Sequence, residues 1–212
     1  MDYDIPDDLL ASLKLEEGYT DYIYQDTAEE KHATSGMGHK LSEAEKKVLG
    51  VREGGYIQFK IPNIGLRMVA VDTSGTPIQV GSETLTRWQK EDVQVAYANA
   101  INDAKALGTD NQKLINSLTH VNFQLGGSWN TKKTKFPTAW QALKDKDWEK
   151  AKDNLKYAKP AISKAVKDTS DWFKTTPSRV NNFISAITEY GNLYDKQSMD
   201  PDTHVVEKKA NN

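Results

Sequence analysis

From Tyr56 onward the hydrophobic period of this chain passes from alternating to helical near residue 82, and that change limits the fold more than any other feature of the sequence. From Tyr56 to Val80 the apolar residues alternate or cluster briefly: Ile57, Phe59 and Ile61, then Met68 to Val71, then Ile78 and Val80. Pro62-Asn63 and Ser74-Gly75-Thr76-Pro77 separate these runs as turns, so the stretch reads as β. Beyond it the spacing is helical: Thr86 to Ala106 before Gly108, Asn111 to Leu125 before Gly126, Thr138 to Lys144, Asp147 to Tyr157, Ala161 to Lys167, and Pro177 to Tyr190 before Gly191. Strands gathered in one part of a chain and helices in another predict an α+β fold, here predominantly helical.

The first fifty residues are mixed. Leu9, Leu10, Leu13 and Leu15 follow Pro6 at near-helical spacing, and Gly18 stands where that helix would stop, leaving Glu16 and Glu17 at its end. Asp21 to Tyr24, a polar turn from Gln25 to Lys31, and His32 to Ser35 read as a small hairpin, followed by Gly36-Met37-Gly38. Ser42 with Glu45 forms a capping box for a short helix ending at Gly50. Thr176-Pro177 reads as an N-cap followed by proline at the first helical position, where the missing N–H costs nothing. The tail beyond Asp195 is polar, and no internal repeat is visible.

Composition removes several function classes. With 212 residues and 37% apolar content the chain holds one substantial core, or a large and a small lobe. It has no cysteine, which excludes thiol catalysis, disulfides and thiolate metal sites. No apolar run approaches the roughly 18 to 20 residues of a membrane span. Met1 to Asp8 carries four acidic residues and no basic start, so no secretory signal is expected. The net charge of −2 conceals an acidic first fifty residues and a lysine-rich stretch from Thr131 to Lys174. Those lysines interleave with Asp145, Asp147, Glu149 and Asp153, the pattern of a solvated helix surface, and no nucleic-acid motif accompanies them.

Two carboxylates fall where the chain turns back on itself. Glu17 closes the first helix and Asp26 leaves the first strand, so a turn at Gly18 brings both to one side. Glycoside hydrolysis asks for such a pair, an acid to protonate the leaving oxygen and a second group to support water or the oxocarbenium-like transition state. Exposed acids are commonplace, and spacing alone leaves Asp26 equally readable as a turn residue capping its own backbone. Glu17 has the weaker structural alternative, because a helix C-terminus disfavours a carboxylate.

Four blocks, "LKLEEGYTDYIYQDT", "TSGMGH", "VNFQLGG" and "DWFKTTPSRV", in that order, resemble the signature segments of the T-even bacteriophage lysozyme family. The resemblance covers about three quarters of the chain. It implies a lysozyme-like catalytic domain over 1–195. Within it a small lobe spans about 18–85, including a β-rich insertion at 51–81, and a helical lobe of 86–195 is joined by the N-terminal helix 6–17. A polar tail, 196–212, follows. By the same resemblance Glu17 is the general acid, Asp26 the second carboxylate and Thr34 the hydroxyl that orients water. Lys40, Phe123, Gln124 and Asn154 become substrate contacts; Arg179 stands beside Glu17, and His39 pairs with Asp92. The implied activity is inverting hydrolysis of the β-1,4 bond between N-acetylmuramic acid and N-acetylglucosamine, without metal or cofactor. The expected partner is the glycan strand of peptidoglycan, met by a monomer that starts in a host cytoplasm or travels in the virion.

The chain departs from the family pattern in a turn between Asp26 and Thr34 that is two residues longer, in the 51–81 stretch, and in a longer connection between Tyr157 and Trp172. No catalytic group is expected in 51–81, whose only acids are Glu53 and Asp72. Each implied residue has a plainer reading: Thr34 as a strand threonine, Phe123 as core, Arg179 as a solvated helix charge. His39 is too far from a second ligand to predict zinc, with His32 across a flexible turn. Trp88, Trp140, Trp148 and Trp172 read as core or cleft wall. Two other functions fit the same blocks: a lytic transglycosylase, which needs neither Asp26 nor Thr34, and a non-catalytic wall-binding or virion module on the same fold.

Overall fold

The computed structural model describes residues 3–27, 31–52, 54–127, 129–130, 136–157 and 170–198. Among them the architecture is α+β, eight helices with one five-stranded antiparallel sheet. The chain divides into two compact units, Met1–Val95 and Ala96–Asn212, with the division inside one long helix. The expected helix at Ala161 to Lys167 and the tail beyond 198 lie outside the described residues.

The first unit opens with α1 (Asp7–Glu17), whose first turn carries Asp7 and Asp8 where the helix dipole favours negative charge. Leu9 and Leu13, four apart, are buried on one face. Leu15 was expected with them, but two residues past Leu13 it falls on the opposite side of the helix and is 86% exposed. Strands β1 (Thr20–Gln25), β2 (Ala33–Gly36) and β3 (His39–Lys40) follow, then α2 (Glu43–Val48). The Ser42–Glu45 capping box is formed in both directions.

The alternating stretch supplies β4 (Tyr56–Ile61) and β5 (Gly65–Ala70), a hairpin paired over its whole length. Strand order is β3-β2-β1-β5-β4, so the hairpin extends the sheet begun by β1, β2 and β3, with β5 against β1. The registers align Lys40, Thr34, Tyr24, Val69 and Ile57 in one row across all five strands. Alternation sends Ile23, Ala33, Ala70 and Tyr56 to the other face, where they meet Leu41, Val80, Leu85 and Trp88 in one apolar cluster. Ile57, expected on the buried side, stands on the edge strand and is 39% exposed.

Helix α3 (Ser82–Ala106) carries the chain into the second unit. There α4 (Gln112–Leu125) is capped by Asn111, which accepts from Leu114 N–H at 2.9 Å, and ends at Gly126. After α4 come α5 (Pro137–Lys144), with proline at its first turn, and α6 (Trp148–Lys156), capped by Asp147. Leu114, Leu118, Leu143, Leu155, Val180, Phe183 and Ile187 fill the core around a fully buried Trp129, whose edge meets Trp140 and Phe183.

Two features of this unit differ from what the sequence pattern predicts. A one-turn helix, α7 (Asp171–Thr175), is present where none was expected, because five residues carry no periodic signal. Thr176 stands at the N-cap position of α8 (Pro177–Ser198), with Pro177 first in the helix as the sequence predicts: its carbonyl accepts from Val180 N–H at 3.3 Å, while its hydroxyl donates to the Trp172 carbonyl at 3.0 Å and accepts from Gln124. Helix α8 runs through Gly191 instead of stopping there, since that glycine packs against Trp148 within the helix.

Candidate active site

In the first unit, Glu17 is the last residue of α1 and half-buried. Gly18 ends that helix with φ 74° and ψ 114°, a conformation open to glycine and strained for other residues. The chain then enters β1, and Asp26 follows its last residue. The Asp26 backbone N–H donates to the His32 carbonyl at 3.0 Å, and Asp26 Oδ1 accepts from the His32 N–H at 3.0 Å. Asp26 Oδ2 lies 3.3 Å from His32 Nδ1 and 3.8 Å from Lys40 Nζ, with the carboxylate side chain only 18% exposed. Lys40 Nζ also stands 3.4 Å from His32 Nδ1. The lysine expected to touch substrate is therefore placed on the second carboxylate.

Thr34 is buried at 3% exposure in β2, directly across from Tyr24 on β1 and Lys40 on β3. Its hydroxyl donates to the His32 carbonyl at 3.2 Å. Tyr24 is the residue the sequence reading passed over, although it is the tyrosine of the "YQDT" segment. Its phenol titrates above the ordinary value of 10, first because burial disfavours the phenolate. Arg67 opposes that rise and the carboxylates of Asp26 and Glu17 add to it. All three charges therefore lie within electrostatic reach of one phenol.

The His39 support is built as expected and carries more. Its Nδ1 lies 3.0 Å from Asp92 Oδ2, its Nε2 3.3 Å from Glu45 Oε1, and its ring stacks on Trp88 at 4.2 Å with 12° between planes. Burial works against protonation of the ring, but the hydrogen bond and charge of Asp92, then those of Glu45, outweigh it and raise the pKa above 6.5. Glu45 was legible only as a capping residue; the cap fixes its carboxylate beside His39.

In the second unit Gln124 accepts from Trp172 Nε1 at 2.8 Å and donates to Thr176 Oγ1 at 3.3 Å, which fixes the orientation of its amide. Phe123 beside it is half-buried. Asn154 is buried and donates to the Lys150 carbonyl at 2.7 Å, one turn back on its own helix. Arg179 stands in the first turn of α8, half-buried. The structure thus gathers Glu17, Tyr24, Asp26, Thr34 and Lys40 in one unit, and Phe123, Gln124, Trp172 and Thr176 in the other.

Among the described residues no group of three or more His, Asp or Glu side chains is arranged to hold a metal ion, and no helix is long and apolar enough to cross a membrane. Chemically, the first-unit cluster offers two carboxylates in distinct surroundings, one at a helix end and one held by an imidazole and an ammonium group. No known protein-family model matches the chain, and no curated protein matches it.

Proposed function

We propose that this chain is a peptidoglycan hydrolase, a muramidase that cleaves the β-1,4 bond between N-acetylmuramic acid and N-acetylglucosamine with inversion. Such an enzyme would serve phage-mediated lysis or wall penetration. The observation that carries the reading is that Glu17 and Asp26 both act on the Tyr24 phenol, while Asp26 is also held by His32 and Lys40. Glu17 gives its proton to the glycosidic oxygen as the bond breaks. Asp26 receives a proton from the attacking water, and Thr34, one strand away, belongs to the wall that orients it.

The presence of Asp26 and Thr34 in one sheet row and its margin favours hydrolysis over a lytic transglycosylase, which uses neither. The test is digestion of purified peptidoglycan by the wild type, Glu17→Gln and Asp26→Asn, with mass spectrometry of the fragments and anomeric NMR of the first product. Hydrolysed reducing ends of inverted configuration, lost in a folded Glu17→Gln, are expected. Anhydro ends would replace this reading with the transglycosylase. Cleavage that survives in Glu17→Gln would remove Glu17 from its role, and binding without cleavage by the wild type would make the protein a wall-binding module.

A further inference from the structure

The β4–β5 hairpin brings a cation to the candidate site from a stretch in which no catalytic group is expected. Tyr24 on β1 pairs with Val69 on β5, antiparallel. Arg67, two residues earlier, therefore shares the face of Tyr24 and lies toward the Asp26 end of β1. The turn of the same hairpin reaches the other end of the site, where Ile64 packs 3.6 Å from the position a Gly18 Cβ would take, next to Glu17. Arg67 acts on the Tyr24 phenol too, in the sense opposite to the two carboxylates.

Asp26 is already provided with His32 and Lys40, so Arg67 is not required to balance it. Among the described residues Arg67 makes no ion pair; its Nη1 donates to the Leu66 carbonyl at 2.8 Å, and its remaining N–H groups are left over. A half-buried guanidinium with unused donors, on the wall of a site read as carbohydrate-cleaving, has the geometry for bidentate capture of a carboxylate.

We propose that Arg67 is a specificity-determining residue of this site, binding a carboxylate carried by the glycan substrate. This rests on the glycan-cleaving reading above and adds to it a preference for anionic over neutral strands. Two sources offer that carboxylate in peptidoglycan, the free lactyl group of peptide-stripped strands and the stem peptides of intact ones.

The experiment compares wild type, Arg67→Gln and Arg67→Lys on three substrates: peptide-stripped strands, peptide-bearing strands and neutral chitin oligosaccharides. Loss of a charge-assisted contact should raise KM on the recognised anionic strand about tenfold relative to chitin in Arg67→Gln, with kcat unchanged. Arg67→Lys, which keeps the charge without the fork, should fall between, and the arm that responds identifies the source. Equal KM ratios in wild type and Arg67→Gln would overturn the proposal while leaving the hydrolase reading intact. Calorimetric binding of the same strands to Glu17→Gln, with and without Arg67→Gln, reads the contact without turnover. Tighter binding of anionic strands that disappears with Arg67→Gln supports the proposal even if the wild type cleaves nothing, and absence of any such preference overturns it.

Discussion

His39 Nδ1 sits 3.0 Å from Asp92 Oδ2, so a residue of the short strand β3 is tied to the long helix α3 inside the first unit. The ring is also flat against Trp88, one turn earlier on the same helix, and Glu45 from the capped helix α2 closes its far nitrogen. Three elements thus converge on one imidazole.

That convergence makes the stability of the first unit depend on pH. The folded pKa of His39 is raised above 6.5, so its contribution is fully present below that value and is lost as pH rises through the folded one. Glu45 runs the other way: burial alone would raise its pKa, but hydrogen bonds from Ser42 and the neighbouring His39 hold it below 4.5. Its contribution is present above 4.5 and is lost as pH falls through the folded value. Both act together between those limits. Asp92→Asn should therefore cost about 1 kcal/mol near pH 5.5 and less near pH 9, Asp92 being partly exposed. Urea unfolding at the two pH values checks this; an equal loss at both would show that the pair contributes no charge-dependent stability.

In the second unit, Asp103 is a buried acceptor. Its Oδ2 receives Asn122 Nδ2 at 2.9 Å and Trp129 Nε1 at 3.0 Å, and its Oδ1 receives Asn130 Nδ2 at 2.6 Å. Burial raises its pKa, against the lowering effect of these donors. Asp103→Ala should cost about 2–3 kcal/mol, since it strands the indole N–H of the fully buried Trp129. Asp103→Asn keeps one oxygen for the two donors that share Oδ2 and opposes only Asn130, so about 1 kcal/mol is expected. Thermal unfolding of both variants decides it, and equal losses would mean that the carboxylate charge, not its acceptor count, holds the loop.

Much of this architecture was legible because its signals are local. The capping box at Ser42 and Glu45, the asparagine cap of α4 and the alternation that builds β4 and β5 each lie within a few residues. What was not legible depends on pairing across distance. Nothing near Arg67 in sequence points to Asp26; their proximity follows from β5 lying beside β1. Lys40 and His32 reach Asp26 only because β1, β2 and β3 fold into one register. The passage of α8 through Gly191 is likewise a tertiary effect.

Gly191 separates propensity from packing. A Cβ there would lie 2.9 Å from both Cδ1 and Cγ of Trp148 and 3.1 Å from its Nε1. Trp148 is hemmed in by Tyr190 at 5.5 Å and Tyr194 at 5.8 Å, which limits its retreat. Gly191→Ala gains about 1 kcal/mol of helix propensity and loses about 1–3 kcal/mol to overpacking, so a lower Tm is expected. A raised Tm would show that the Trp148 ring yields freely.

Gly18 poses the complementary case, in which the backbone and not the side-chain space is limiting. A Cβ at Gly18 would meet Ile64 at 3.6 Å, an ordinary contact, but φ 74° with ψ 114° is a conformation that alanine adopts only under strain. Gly18→Ala should therefore cost about 1–3 kcal/mol. The strain is relieved by moving the junction of α1 and β1, and Glu17 sits on that junction, so under the proposed function kcat should fall as well. Gly50, at φ 70° with no heavy atom within 4 Å of its Cβ position, supplies the control after α2. Gly50→Ala should lower Tm comparably while leaving glycan cleavage at the wild-type rate. If Gly18→Ala, assayed well below its Tm, cleaved as fast as Gly50→Ala, the aim of Glu17 would not depend on this turn, and the proton donor would have to be sought elsewhere in the cluster.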